Sequence, residues 1–389
     1  MKQVKKLAVI LNTNQLGGAE RSVVEQFHLF QDQIQCTFFV PDISGSPKAL
    51  SEFIKQKGFQ DPVSIPYPKF LYSFSRSDWY GLFLIPFLIP YLLVVLFQWN
   101  TLFKGFTSFY VNGSKASFPV FFWLTFFRKH IRMQWHFRDY PAPNFFKVIN
   151  KCLSVAGLDR GIIDFHIIAN SRSVEDALKK IFPLYPVDYV YNLAGELPLR
   201  SGDRPIRTIG VVSMIAPWKG IHNVLLMAGI YAEELSELGI ERICFFGENI
   251  YQTNGPHKKY SDELQSLINK FNIENIEWRG VKKPESIFSE IDLLIHPSVS
   301  PEPFGRVILE AFSAGVPVIS TGMGGAKELV SEGRALICHA NHPKDLITKI
   351  EKIVRDHQST SHRDKIAYQF SAELKSITKS QIAKFIRQS

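Results

Sequence analysis

The segment EPFGRVILE, residues 302–310, carries a glutamate at each end, Glu302 and Glu310. An apolar run typical of a β-strand precedes it, and a helical pattern of apolar residues begins inside it. Glu302 is therefore expected in the loop at the start of a helix, with Glu310 about two turns inside that helix. Gly305 permits close approach of the backbone to a ligand, and the free N–H groups of a first helical turn can bind an anion.

Strand patterns alternate with helix patterns on both sides of this segment, which predicts parallel sheets covered by helices on both faces. The chain has 389 residues, which is more than one ordinary core accommodates. A polar, turn-rich stretch at 199–205 separates two such alternations. We expect an α/β protein with two Rossmann-like, doubly wound domains, residues 1–200 and 205–370. An amphipathic C-terminal helix, 371–389, is expected to complete the first domain.

A second segment, SMIAPWKG at residues 213–220, is expected to connect a strand with a helix. Lys219 in this turn supplies a point charge suited to a diphosphate. A solvated surface lysine is the alternative interpretation of the same residue.

A third segment places Gly17 and Gly18 between the first strand and the first helix. Flexible backbone followed by a helix N-terminus favours an anionic ligand. The full GxGxxG pattern is missing, so we do not expect a dinucleotide there, and an ordinary strand-to-helix turn is the alternative.

A fourth segment, WHFRD at residues 135–139, follows a predicted strand. Side chains at the carboxyl end of a strand in an open α/β sheet face the ligand-binding crevice, which makes His136 a candidate site residue. Arg138 and Asp139 would orient it or meet a second substrate. A structural histidine is the alternative.

Taken together, these segments resemble the retaining glycosyltransferases of family 4, whose signature is Glu-x7-Glu. The resemblance rests on residues 302–310, on AGVPVI at 314–319 and on GGAKE at 324–328. It is most specific between Thr208 and Ala335 and extends more loosely over nearly the whole chain. It implies the GT-B fold, in which two Rossmann-like domains face a central cleft.

The family pattern implies a role for each of these residues. Glu302 would contact the transferred sugar, Glu310 the ribose and Lys219 the diphosphate. The loop at Gly17 and Gly18 would close over the donor phosphate and the acceptor. His136 would contact the donor sugar. Sugar hydroxyls and phosphate would be bound by the backbone of Phe304, Gly305, Arg306 and Val307.

One position departs from the family pattern. Met214 stands where the family often has a second cation, an arginine five residues before the lysine. Lys219 would then act together with another base such as Arg306, or the donor would bind more weakly. We assign Glu302 to positioning and charge stabilisation and do not assign it as a nucleophile, because the family's retaining reaction is compatible with same-face attack assisted by the leaving phosphate.

No spacing typical of metal ligands is evident in the sequence, and neither metal nor cofactor is expected. The co-substrate implied by the resemblance is a UDP- or GDP-linked sugar. The four cysteines show no redox or metal spacing, which favours free thiols in a reducing compartment.

Positive charge is concentrated in the first half of the chain. Residues 1–200 hold 22 Lys and Arg against 14 Asp and Glu, an excess of 8, whereas the remainder hold 23 against 22. This asymmetry favours an anionic partner, although a solvated surface is the alternative. A nucleic acid is not expected, because no motif that reads one is present.

The run from Gly81 to Phe97 contains 17 residues without a charge. It is shorter than a usual bilayer span, and prolines interrupt it. We expect an interfacial helix and peripheral membrane contact through 79–104, with Trp79, Tyr80 and Trp99 as interfacial anchors. A buried helix and a true membrane span are the alternatives. The protein would then lie in the cytoplasm at the inner face of the plasma membrane.

The function expected from the sequence is transfer of a sugar from a nucleotide diphosphate sugar to a saccharide or lipid-linked acceptor, in polysaccharide or lipopolysaccharide assembly. Two alternatives stay open at this point. One is a catalytically inactive GT-B subunit of a membrane assembly, and the other is a GT-B sugar-nucleotide epimerase.

Overall fold

The computed structural model describes residues 5–43, 48–67, 85–114, 117–127, 130–155, 163–195, 197–200, 205–248 and 256–388. The chain forms two compact units. The first comprises Met1–Leu193 together with Ile377–Ser389, and the second comprises Ala194–Ser376.

The first unit is built on a parallel sheet, which has seven strands within the described residues, in the order β3-β2-β1-β4-β5-β6-β7. The strands are β1 (Lys5–Ile10), β2 (Ile34–Pro41), β3 (Val63–Ile65), β4 (Ser108–Asn112), β5 (Arg132–Phe137), β6 (Asp164–Ala169) and β7 (Val187–Tyr189). Branched and aromatic residues predominate in these runs, as is usual for strands buried on both faces.

Helices cover both faces of this sheet. They are α1 (Gly18–His28), α2 (Lys48–Gln56), α3 (Ile85–Leu102), α4 (Ser117–Phe127), α5 (Pro143–Val155) and α6 (Arg172–Ile181). Trp99, Phe121 and Trp135 belong to the core on the face covered by α3 to α6. Phe38 and Phe385 belong to the core on the opposite face, where α1 and α2 pack.

The second unit has the same plan. Its parallel sheet has six described strands in the order β10-β9-β8-β11-β12-β13. They are β8 (Thr208–Val212), β9 (Arg242–Phe246), β10 (Ile276–Gly280), β11 (Leu293–His296), β12 (Val318–Ser320) and β13 (Leu336–Ile337). The helices are α7 (Ile221–Ile230), α8 (Ala232–Glu237), α9 (Pro256–Phe271), α10 (Pro284–Glu290), α11 (Arg306–Ser313), α12 (Ala326–Val330) and α13 (Pro343–Arg355).

A last helix, α14 (His357–Gln388), continues from the second unit into the first. Its final turns contribute Ile382, Phe385 and Ile386 to the core of the first unit.

Each sheet contains one point at which the order of the strands reverses. The first chain segment builds outward from β1 to β3 and then returns to place β4 on the other side of β1. In the second unit the same reversal places β11 beside β8. Open parallel sheets bind ligands outside the carboxyl ends of the strands at such reversals. The loops after β1, β4, β8 and β11 are therefore the places to look for a site.

The apolar run predicted as an interfacial helix contributes most of α3, while residues 79–84 lie outside the described part of the chain. Val95 and Trp99 are buried, and the Trp99 indole N–H donates to the Pro66 carbonyl at 2.8 Å. The prediction that Trp99 is an interfacial anchor is therefore wrong, because its ring packs in the domain core. Val94 and Phe97, on the other side of α3, are exposed. No helix in the described part of the chain is long and apolar enough to cross a membrane.

Candidate active site

Lys219 lies in the loop that follows β8, at the end of a short 3-10 turn formed by Pro217–Lys219. Gly220 comes next in the left-handed region, with φ 69°, and a Cβ there would stand 2.0 Å from the Pro297 carbonyl oxygen. Only glycine permits this approach. The Val299 N–H then donates to the Trp218 carbonyl at 2.9 Å. The loops after β8 and β11 are thereby held against each other.

Glu302 lies in the loop after β11, and its backbone is fixed from a third loop. Its N–H donates to the Met323 carbonyl at 3.1 Å, and its carbonyl accepts from the Gly325 N–H at 2.7 Å. Residues 321–325 follow β12, the next strand in the sheet. The glutamate is therefore positioned by backbone bonds and not by its side chain alone.

The side chains of Lys219 and Glu302 form an ion pair, with Nζ 2.5 Å from Oε2. The two side chains are only 16% and 17% exposed. The sequence predicted both residues as site residues, and the structure brings them into direct contact at the strand-order reversal.

Two further donors converge on the same carboxylate oxygen. The Ser298 hydroxyl donates to Glu302 Oε2 at 3.3 Å, and His296 Nε2 lies 3.6 Å from it. Burial acts to raise the pKa of Glu302, but the contact with His296 and the charge of Lys219 outweigh it and hold that pKa well below its usual range. Glu302 is therefore an ionised hydrogen-bond acceptor at any physiological pH.

Helix α11 begins immediately after Gly305, whose φ of 88° lies in the left-handed region. The first N–H groups of a helix have no partner within it, so the backbone at Arg306 and Val307 presents donors to a ligand. The Phe304 ring is buried, which leaves its backbone as the part able to reach a ligand. The backbone roles expected for Phe304, Gly305, Arg306 and Val307 stay predictions.

Glu310 lies one turn further along α11 and is largely buried. Its Oε1 accepts from Arg306 Nε at 2.8 Å, an i to i+4 pair on one face of the helix. Arg306 was predicted to substitute for the missing cation at Met214. In this structure the Arg306 guanidinium pairs with Glu310, so a diphosphate would have to share that cation with Glu310.

In the first unit, Gly17 and Gly18 open α1 after the loop that follows β1. A Cβ at Gly18 would meet no atom within 4 Å, so there is room for a ligand beside it. A Cβ at Gly17 would stand 3.0 Å from Glu20 Oε2. The glycine pair therefore lies next to a buried carboxyl group that the sequence analysis left without a role.

Burial raises the pKa of Glu20 to about 7; the N–H groups of Glu20 and Asn12 and the charge of Arg138 lower it, but by less. Its Oε1 accepts from Asn112 Nδ2, at the end of β4, at 3.5 Å. Glu20 thus joins the start of α1 to the end of β4 at the strand-order reversal of the first sheet. Its pKa lies near neutral pH.

His136 lies inside β5 and is fully buried. The prediction that the strand ends before His136 is wrong, because β5 extends to Phe137. Contact of His136 with a donor sugar stays a prediction. The His136 Nδ1 is hydrogen bonded to the Tyr110 hydroxyl. Burial and the charge of Arg138 hold the pKa of His136 well below its usual value, so the ring is neutral.

Arg138 is enclosed by neutral acceptors from separate parts of the first unit. It donates to Asn112 Oδ1 at 2.9 Å, Gln26 Oε1 at 3.0 Å, Ser22 Oγ at 3.3 Å, the Tyr110 hydroxyl at 3.4 Å and Asn192 Oδ1. The Arg138 side chain therefore holds these segments of the first unit together and is not directed toward an acceptor substrate. Asp139 is exposed, and its Oδ1 accepts from the Tyr140 N–H at 2.9 Å.

Sequence reasoning missed several residues of these two constellations: Ser22, Gln26, Tyr110, Asn112, His296 and Ser298. One signal was available for the last two, because His-Pro-Ser directly follows a predicted strand beside the signature. The others are scattered over α1 and β4, and only the folded arrangement brings them together.

One group of potential metal ligands occurs among the described residues, formed by Cys244, Glu277 and Glu290. Arg279 pairs with both carboxylates, and Lys282 pairs with Glu290 at 3.0 Å. The two cations already neutralise the cluster, which indicates an ion-pair network and not a metal centre.

Comparison with known proteins shows that the second domain is similar to glycosyltransferases. Residues 203–370 match the family model described as Glycosyl transferases group 1. The D-inositol 3-phosphate glycosyltransferase of Paenarthrobacter aurescens is 35% identical over 83 residues, 21% of this chain and 20% of that protein. The uncharacterised glycosyltransferase MJ1178 of Methanocaldococcus jannaschii is 32% identical over 154 residues, 38% of this chain and 43% of that protein. The chain thus spans less than half the length of these curated relatives.

The whole chain resembles a solved structure. Anabaena Alr3699/HepE, crystallised with UDP and glucose, superposes with a TM-score of 0.76 over 99% of this chain and 100% of that one, at 20% identity. This likeness and the two parallel sheets confirm the predicted α/β, two-domain GT-B fold.

The contact between the Lys219 turn and the loop after β11 can be tested through Gly220. Replacing Gly220 with Ala should lower the free energy of unfolding by about 2–3 kcal/mol, because the new methyl group collides with the Pro297 carbonyl and the backbone conformation is strained. Gly239→Ala is the matched control, since Gly239 also has positive φ but meets nothing within 4 Å. Denaturant unfolding of both variants checks this, and equal losses would contradict the close approach.

The buried carboxyl group of Glu20 makes stability depend on pH. Its folded-state pKa, about 7, exceeds the ordinary value of 4.5 for a glutamate, so the folded protein binds more protons and loses stability as pH rises between these values. Relative to the native protein, Glu20→Gln should therefore gain stability from pH 5 to pH 7.5, by an amount on the order of 3 kcal/mol, and then level off.

Denaturant unfolding at pH 5, 6, 7 and 8 measures this difference. Asp32→Asn serves as the control, since Asp32 is exposed on the same unit and should show no such trend. A difference between Glu20→Gln and the native protein that stays constant with pH would contradict the assignment.

Proposed function

We propose that this chain is a retaining glycosyltransferase of family 4 that transfers a sugar from a nucleotide diphosphate sugar. The observation that carries the proposal is the Lys219–Glu302 pair at the strand-order reversal of a glycosyltransferase group 1 domain. Anabaena Alr3699/HepE, which has the same fold, was crystallised with UDP-glucose, and this supports a UDP-linked donor.

The proposed donor site lies along the carboxyl ends of β8, β11 and β12. The donor diphosphate would draw Lys219 away from Glu302 and would meet the first N–H groups of α11. The ribose hydroxyls would share Glu310 with Arg306. Lysine, backbone amides and the helix dipole would stabilise the developing charge of the leaving group, and the proposed reaction needs no metal.

Glu302 contributes as an anion in this proposal. Because its pKa is depressed, it is a weak base and a poor proton donor. It would accept a hydrogen bond from a sugar hydroxyl and favour positive charge at the anomeric carbon. As the acceptor oxygen bonds to that carbon and the bond to the diphosphate breaks, the acceptor proton passes to the departing phosphate oxygen, with retention of configuration.

The first domain is proposed to hold the acceptor. The loop at Gly17 and Gly18 has open space beside it, and the network around Arg138 holds the adjoining loops in place. In its present rotamer His136 is closed off, so contact with the donor sugar would require the ring to leave Tyr110. We propose a saccharide or lipid-linked acceptor of the kind used in polysaccharide or lipopolysaccharide assembly.

The donor assignment is tested by thermal unfolding with UDP-glucose, UDP-N-acetylglucosamine and GDP-mannose. A donor present at 100 times its Kd should stabilise the protein by about 2.7 kcal/mol. Glu302→Gln should lower kcat on the order of 100-fold and leave folding intact, and Lys219→Gln should chiefly raise the donor KM. Lys283→Gln is the control, because Lys283 is exposed.

The outcomes separate the alternatives. Donor binding without turnover in the native protein would favour an inactive binding subunit. Conversion of the donor to its epimer without any acceptor would favour an epimerase. Stabilisation by no nucleotide sugar would sink the proposal.

We also propose that the outer faces of α3, α4 and α5 contact an anionic bilayer. These helices cover neighbouring strands on one face of the first sheet. Between Asp78 and Asp139 the sequence has no acidic residue but contains Lys104, Lys115, Arg128 and Lys129. The same stretch also holds Arg132, which pairs with Asp164, and Arg138, which belongs to the internal network described above. Helix α5 adds exposed Lys147 and Lys151.

Exposed apolar side chains lie on the same three helices. Phe97 is 74% exposed, Phe127 66% and Val148 62%, and Val94 and Phe145 are also exposed. Basic and apolar side chains without acidic ones are typical of helices that lie on a membrane surface. This arrangement supports an acceptor presented at a membrane.

Flotation with vesicles containing phosphatidylglycerol, compared with pure phosphatidylcholine, tests this surface. The native protein should float only with the anionic vesicles. The double substitution Lys147→Ser with Lys151→Ser should weaken binding about 30-fold, because each lysine near such a surface contributes about 1 kcal/mol. Phe97→Ser with Phe145→Ser should also weaken it.

Leu184→Ser is the matched control, because Leu184 is exposed on the same unit but lies outside the three helices. Equal loss in this control, or no binding by the native protein to either vesicle, would contradict the membrane surface.

A further inference from the structure

His296 ends strand β11 and directs its ring at Glu302. The side chain is only 5% exposed, and Nε2 lies 3.6 Å from Glu302 Oε2. On the other side of the ring, Nδ1 lies 3.2 Å from the Ser320 hydroxyl oxygen, which belongs to β12. The imidazole therefore bridges the proposed sugar-binding carboxylate and the neighbouring strand.

The partners of His296 determine which ring nitrogen carries the hydrogen. An ionised carboxylate can only accept, so Nε2 must carry a hydrogen for its contact with Glu302 to be favourable. In a neutral ring Nδ1 is then an acceptor. The Ser320 oxygen accepts from the Gly322 N–H at 3.1 Å, and its own hydrogen is free to be donated to Nδ1. The hydrogen bonds that link Gly322, Ser320 and His296 are therefore consistent with the 3.6 Å contact between His296 and the Glu302 carboxylate.

These contacts of His296 matter because Lys219 cannot pair equally well with Glu302 and with a donor diphosphate. Lys219, Ser298 and His296 all converge on Oε2 of Glu302. When a diphosphate takes Lys219, the carboxylate loses its strongest partner, and the other two remain to hold it. Of these, His296 is the one anchored to a second strand.

We propose that His296 is a positioning residue that keeps the Glu302 carboxylate in place once the donor diphosphate engages Lys219, with Ser320 holding the other side of the ring. This inference rests on the proposed glycosyl transfer. It adds a residue that acts through Glu302 and does not itself touch the substrate.

A matched pair of amides tests the proposal. The amide nitrogen of Gln can replace Nε2, and that of Asn can replace only Nδ1. His296→Asn should therefore lower kcat 10- to 100-fold with little change in the donor KM, since small misplacement of a reacting group has effects of this size. His296→Gln should recover most of the activity.

A merely structural role gives a different result. His296→Asn and His296→Gln would then lose activity and thermal stability together, and the proposal would be overturned. Native kcat in His296→Asn would overturn it as well.

A second measurement does not depend on turnover. Nitrogen NMR of the donor-free protein at alkaline pH, with the His296 signals assigned by their absence in His296→Asn, reports the tautomer of the ring. The Nε2–H form is expected in the native protein, with a mixture of tautomers in Glu302→Gln, whose amide can accept from the ring or donate to it. An Nδ1–H ring in the native protein would refute the positioning role even if the proposed glycosyl transfer fails its own test.

Discussion

The ion pair between Lys219 and Glu302 is the interaction around which the second domain's candidate site is arranged. Two largely buried opposite charges at 2.5 Å require that both loops arrive at one point, because either charge alone would be costly to bury. Gly220 allows one loop to approach, and the backbone bonds to Met323 and Gly325 fix the other. The chemistry of the side chains thus depends on the geometry of the backbone.

In the first domain the backbone likewise positions a charged side chain, but the central charge is positive. There a cation, Arg138, is surrounded by neutral acceptors, and the nearby carboxyl group of Glu20 is linked to it through Asn112. This network joins α1, β4 and the segment after β5. It leaves the glycine pair at the start of α1 in a fixed but open position, as a loop that must admit a ligand requires.

Sequence patterns predicted the fold because parallel strands buried on both faces have continuous apolar sequences, and the loops after them contain glycine and polar residues. They also predicted Glu302 and Lys219 as site residues, since each follows such a run. Their direct contact spans 83 positions and was not predictable from spacing, unlike the i to i+4 pair of Arg306 and Glu310. The burial of His136 was missed because β5 continues two residues past Trp135, to Phe137. A local sequence pattern does not fix where a strand ends.

The neutral-range titration of Glu20 has a thermodynamic consequence for any anionic ligand that settles beside the glycine pair. Negative charge near this carboxyl group makes its ionised form less favourable still, so binding at pH 7 draws a hydrogen ion from solution. The heat released on binding would then vary with the ionisation enthalpy of the buffer. Calorimetry in phosphate and in Tris would report different enthalpies for one and the same association.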